Sequence, residues 1–159
     1  MNRKILLVAG ATLFLDQLSK VLIETFISLN EQINVIPNFF SLHYMNNYGV
    51  AWSMFDNKIP FIIGLSILAL ALIYHFMYQF VPNKRNNLAF GLLVGGMVGN
   101  LMDRWLFGYV RDFLDFNLLG YDYPIFNIAD IGVVVGTLLL IIAVCKGEDH
   151  RENMDCGRE

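Results

Sequence analysis

Asp130 opens an otherwise apolar run, and Asp112 lies a short segment earlier, just past the end of another such run. Two carboxylates brought together resist double ionisation and share a proton at neutral pH. Aspartic-protease chemistry requires that pairing: one member takes a proton from water while the other, protonated, polarises a carbonyl. Spacing alone does not select the pair, because Asp115 and Asp122 are equally acidic and equally near. Asp130 is distinguished by its setting, since the N-terminus of a helix favours an anion. Asn127 precedes it at i−3 on the same helical face.

Other ionisable residues interrupt apolar runs, where each is a functional-site hypothesis that needs a partner. Asp16, Ser19 and Lys20 stand at i, i+3 and i+4, so they share a face. They form either an intrahelical ion pair that lowers the insertion cost or part of an active site. Gly91, Gly95 and Gly99 make a small-residue stripe for close helix approach, with Asn100, Asp103 and Arg104 on an adjoining face. Asp103 and Arg104 are poorly placed for each other, so that set is expected to bond to neighbouring helices or loop backbone. Gly132 and Gly136 are expected to face a different partner from Asn127 and Asp130. His43, His75 and His150 lack ligand spacing, and Cys145 and Cys156 form no framework, so no metal or cofactor is expected. Ser19 and Lys20 are adjacent and cannot act as nucleophile and base.

These residues need elements to position them, and composition says which. The chain is 56% hydrophobic and 16% charged, against about 45–50% and about 25% in a soluble domain. Four runs have the length of a membrane span: residues 5–27, 60–80, 88–107 and 125–145. The expected fold is an all-α membrane protein with four transmembrane helices, a single domain over residues 1–145. The first run carries Asp16 and Lys20 and lacks a cleavage signal, so it is expected to be retained. Arg3, Lys4, Lys84, Arg85, Lys146, Arg151 and Arg158 flank the spans on one side, and only Lys58 and Arg111 flank them on the other. That asymmetry puts both termini in the cytoplasm and loops 28–59 and 108–124 outside. In the first loop Ile33 and Val35, then Phe40, Leu42 and Tyr44, alternate as short strands do. They predict a small extracytoplasmic sheet on the outer leaflet, with Trp52 at headgroup depth. Residues 146–159 are polar, aperiodic and expected to be disordered. The net charge of −3 gives no sign of a nucleic-acid partner. A small transporter would also carry charges in its spans, but the chain shows no inverted repeat.

Four motifs, in order, narrow the choice. "DQLSK" in the first span, "NNYGVAW" in the first outer loop, "GNLMDRWLFGYVRDF" across the end of the third span and "FNIAD" opening the fourth resemble bacterial lipoprotein signal peptidase (signal peptidase II). The resemblance runs from the first span to the fourth. It implies an aspartic endopeptidase of the bacterial cytoplasmic membrane, active at the outer face. Such an enzyme cuts prolipoproteins just before the diacylglyceryl-modified cysteine and needs no cofactor. By motif, it implies that Asp112 and Asp130 are catalytic. Asn100, Asp103, Arg104 and Asn127 match polar positions around the site, and Asp16 and Lys20 match the first-span motif. Asn47 and Gly49 match an N-x-G motif in a loop similar to the family's β-cradle. Globomycin-type peptides are implied inhibitors, and a monomer is expected. Arg111 departs from the pattern, standing where the family often has a small or apolar residue. Alternation along an extended segment would turn it toward lipid headgroups and leave Asp112 undisturbed.

Overall fold

A computed structural model describes residues 2–49, 55, 58–118 and 120–149. Trp52 and the tail beyond residue 149 lie outside the described residues. Among the described residues four helices, α1 (Arg3–Phe26), α2 (Ile59–Phe76), α3 (Lys84–Phe107) and α4 (Ile128–Cys145), are accompanied by four strands. These are β1 (Gln32–Ile36), β2 (Phe40–Asn47), β3 (Val110–Leu118) and β4 (Tyr121–Asp122), in one antiparallel sheet ordered β1-β2-β3-β4. By length and composition α1, α2 and α4 can each cross a membrane. In α3 the apolar stretch is flanked by Lys84–Asn87 at one end and by Asn100, Asp103 and Arg104 at the other.

The polar ends of α3 are tolerated because it is the central helix. Its glycines let two neighbours approach to backbone contact. A Cβ on Gly95 would stand 2.6 Å from the Ala9 carbonyl oxygen of α1, and Gly91 and Gly99 meet Val8 and Asp16 of the same helix. On another side, Gly96 lies against the Ala129 carbonyl of α4. Gly132 and Gly136 of α4 also rest on α3, at the Leu92 and Ala89 carbonyls. Their expected different partner is therefore corrected: α3 takes both the glycine and the polar residues of α4. Asn127 precedes the helix as its cap, so helical angles do not govern its direction.

Local caps set the element boundaries. Asn83 accepts from the Asn86 N–H at 2.8 Å, so α3 starts at Lys84, earlier than its apolar run. Asn127 likewise starts α4 at Ile128. At the other end of α3, Gly108 adopts φ +78°, a left-handed cap that suits glycine, and the chain turns directly into β3. That nine-residue strand occupies what reads as an outer loop in the sequence. Its first four residues, Val110–Phe113, are all buried, because helices cover one face and the site the other. Strict alternation is lost where both faces are covered. β1 and β2 do fall on the alternating segments of the first loop.

The sheet lies at one end of the bundle, and at the opposite one Asn2 and Glu148 each bond near the start of α3. There Asn2 donates to Asn87 at 3.3 Å, and the Val81 N–H donates to the Glu148 carbonyl at 2.8 Å. The Glu148 side chain pairs with Arg85 and accepts from Asn83 and Asn86. The expectation of disorder from residue 146 is thus corrected for its first residues, which are tied down over the start of α3. Bonds from Asn83 foremost, and then the Arg85 charge, hold the Glu148 carboxyl below its usual range.

Candidate active site

The first turn of α4 builds the site. Asn127 and Asp130 form a reciprocal cap, with each backbone N–H donating to the other's side chain at 3.1 Å. This leaves the Asn127 amide free to donate to Asp112 Oδ1 at 2.6 Å and to Asn100 Oδ1 at 3.1 Å. Asn100, from α3, donates in turn to Asp130 Oδ1 at 2.8 Å. One asparagine therefore ties both carboxylates together, Asp112 by its side chain and Asp130 by its backbone.

The sheet supplies the other half. Met45 and Asn47 of β2 lie opposite Asp112 and Val110 of β3, which puts these four side chains on one face. Asn47 Oδ1 accepts from the Gly49 N–H at 2.9 Å, and its amide donates to Asp112 Oδ2 at 2.8 Å. Asp112 is 3% exposed. Burial pushes its carboxyl up from 3.8 to about 7, with the charge of Asp130 acting the same way. Donation from Asn47 and Asn127 and the Lys20 charge oppose the rise.

Asp112, Asp130, Asn47, Asn100 and Arg104 face a cavity of about 650 Å³ whose other walls are mainly apolar, including Phe116, Phe126 and Val134. Arg104 donates to the Gly49 carbonyl at 2.9 Å, while its Nε has no partner among the described residues. Thus the site combines two linked carboxylates, one titrating near neutrality, with a cation and a greasy groove. Such a set can hold one proton between two acids beside a bound carbonyl.

Asp16, Lys20 and Asp103 do not line the cavity but lie behind it. Lys20 is within 2.8 Å of Asp16 and 3.2 Å of Asp103, and donates to Asn100 at 3.0 Å. Asp16 accepts from the Ala129 N–H at 2.9 Å, tying α1 to the start of α4. The intrahelical pair exists and is also a bridge between helices. Asp115 and Asp122 lie apart: Asp115 accepts from Gln32 at 3.0 Å, and Asp122 bonds to Asn117.

Arg111 requires a correction. Alternation does turn it to the face opposite Asp112, but that face is packed against helices, not lipid headgroups. Arg111 is 3% exposed and contacts Asp103, Glu24 and Gln17, each at 2.9 Å. Gln17 and Glu24 were not among the residues singled out from sequence. Asp16, Lys20 and Glu24 form an i, i+4, i+8 row that extends the charged face of α1, a signal sufficient to find Glu24.

Solved structures have the same architecture. Two structures described as bacterial membrane enzymes superpose with TM-scores of 0.80 and 0.78, each at 36% identity. The first match covers 89% of this chain and 87% of the other, and the second covers 88% and 91%. This fold is a membrane-enzyme fold. A lipoprotein signal peptidase of Staphylococcus aureus is 36% identical over 94% of this chain and 93% of its own. With the family profile described as Signal peptidase (SPase) II matching residues 8–146, the chain belongs to the signal peptidase II family.

Proposed function

We propose that this peptidase removes signal peptides from prolipoproteins, cutting before the diacylglyceryl-modified cysteine with water activated by Asp112 and Asp130. The observation that carries the reading is the Asn127 link between two carboxylates at the wall of an apolar cavity. Burial, with the charge of Asp130 acting the same way, pushes Asp112 up to about 7, so the coupled pair can share a proton near neutral pH. The ionised member takes a proton from water as that water attacks the scissile carbonyl. The protonated member donates to the carbonyl oxygen, and the pair then returns a proton to the leaving nitrogen. Asn47, Asn100 and Asn127 keep both carboxylates aimed, and Arg104 sets the adjacent loop through Gly49. Asp16, Lys20 and Asp103 brace the helices behind them.

On this reading residues 1–145 act as one domain whose four helices, α3 included, cross the bacterial cytoplasmic membrane with both termini inside. The sheet rests on the outer leaflet. α3 can span because its polar ends are satisfied by the helices, strand and loop residues around them, as polar groups at membrane depth must be. Globomycin-type peptides would compete for the cavity, and the monomer is the working unit.

Acyl chains buried against protein or lipid contribute about 0.8 kcal/mol per methylene, and they fix the depth of the scissile bond. A precursor lacking the diacylglyceryl group should be cut at least about a hundredfold more slowly. The comparison uses purified enzyme and both precursors in one detergent, followed by a mobility shift. Equal cleavage would remove the lipoprotein assignment and leave a general membrane peptidase.

A further inference from the structure

The site described above does not use Arg111, yet this residue adjoins Asp112 in the chain and is buried as deeply. Its backbone N–H and Nε donate to Asp103 Oδ2 at 3.1 and 3.3 Å, and one terminal nitrogen donates to Asp103 Oδ1 at 2.9 Å. Both carboxylate oxygens are therefore engaged, the fork geometry that arginine provides and lysine does not. The same terminal nitrogen reaches Gln17 at 2.9 Å, and the other reaches Glu24 at 2.9 Å. The guanidinium also lies 4.7 Å from the centre of the Phe107 ring. Burial works against its charge, but Asp103 and Glu24 outweigh that effect, so it stays charged.

These contacts join three elements. Asp103 and Phe107 belong to α3, Gln17 and Glu24 to α1, and Arg111 to β3. Nothing else described fastens the start of β3 to both helices with side-chain bonds of this number. We propose that Arg111 is a positioning residue, whose fork onto Asp103, with its arms to Gln17 and Glu24, fixes the strand so that Asp112 meets Asn47 and Asn127 opposite Asp130. This rests on the proposed aspartic mechanism and assigns one residue's part in it.

Positioning and charge make opposite predictions for acidity, which lets them be told apart. Asp112 faces Asn47 of β2, Asn127 and Asp130 of α4, Lys20 of α1 and the Arg104 charge of α3. Arg111 faces Asp103, Glu24, Gln17 and Phe107, and its charge reaches Tyr44 of β2. The two largest influences on Asp112, burial and the charge of Asp130, both raise its titration point. A strand released from α3 loses part of both, so the alkaline limb of the activity profile moves to lower pH. Loss of a nearby positive charge, with the geometry intact, would move that limb to higher pH.

The test compares purified parent, Arg111→Gln and Arg111→Lys on the diacylglyceryl-modified precursor, reading kcat, KM and the pH profile per folded enzyme. For Arg111→Gln, kcat should fall about 10²-fold, the loss a displacement near 1 Å can produce, with KM little changed and the alkaline limb at lower pH. Lysine keeps the charge but lacks the fork, so it should recover only part of both. If the glutamine variant does not accumulate, the lysine variant decides on the same readouts. Unchanged kcat, or a limb that stays or moves to higher pH, overturns the proposal. Failure here leaves the parent's cleavage and its dependence on Asp112 and Asp130 intact, whereas failure of the aspartic reading shows in the dyad variants themselves.

Discussion

Replacing Asp112 with asparagine should change how the stability of the protein depends on pH as well as its activity. In the folded chain this carboxyl titrates near 7 against an ordinary 3.8. Between those values the folded state binds a proton that the unfolded chain has released. The slope of unfolding free energy with pH is then negative, so stability present below the lower value is lost as pH rises through the higher one. Each unit corresponds to about 1.4 kcal/mol, so the span amounts to something on the order of 4 kcal/mol for the Asp112–Asp130 pair. Asparagine does not titrate and escapes that loss. It does incur a constant cost, because both Asp112 oxygens accept from amides, Asn127 at 2.6 Å and Asn47 at 2.8 Å. An asparagine must turn its own amide toward one of them, which costs about 1–3 kcal/mol at any pH. Below pH 5 the variant should therefore melt below the parent, and by pH 8 the gap should close or reverse. At roughly 2–4 °C per kcal/mol for a chain of this size, the relative shift approaches about 10 °C. Thermal unfolding in detergent from pH 4 to 8 measures it, with Asp115→Asn following the parent. Parallel curves for parent and Asp112→Asn would refute the reasoning, since the carboxyl would then titrate normally.

Other predictions test the frame around the site. Gly95→Ala should lower the amount of folded protein by the equivalent of about 1–3 kcal/mol, because its Cβ would stand 2.6 Å from the Ala9 carbonyl oxygen. Gly10→Ala, whose Cβ would have no atom of the described residues within 4 Å, should be neutral or slightly stabilising in the same membrane-abundance assay. A topology reporter fused after Phe55 should read outside and one after Lys84 inside; reversed signals would put the site on the wrong face for exported precursors.

The elements were easiest to read where the environment of a segment is uniform. α1, α2 and α4 present long apolar surfaces, and β1 and β2 alternate along their length, so period and length identify them. β3 was hidden because Val110–Phe113 is buried on both faces and shows no alternation. The start of α3 was hidden because its first turn is polar and depends on the Asn83 cap rather than on apolar periodicity. At the site, Asp130 was legible as a charge opening an apolar helix, whereas Asp112 stood out from Asp115 only through motif resemblance. The physical difference is tertiary: Asp112 faces Asn127 and Asn47, while Asp115 faces Gln32 near the open side of the sheet. The burial of Arg111 has the same tertiary origin. Strand alternation gives the face a side chain points to, but what covers that face comes from α1 and α3, far off in sequence.

The most direct test is the cleavage rate of Asp112→Asn, Asp130→Asn and the double variant on a diacylglyceryl-modified precursor, each checked for folding and substrate binding. Each single change should lower the rate by at least about 10²–10⁴-fold, and the double variant should lose little more, because a proton-sharing pair acts as a unit. Asp115→Asn and Asp122→Asn should cleave at nearly the parent rate. A folded Asp112→Asn or Asp130→Asn enzyme that still cleaves, or an inactive Asp115→Asn beside an active Asp112→Asn, would contradict the account.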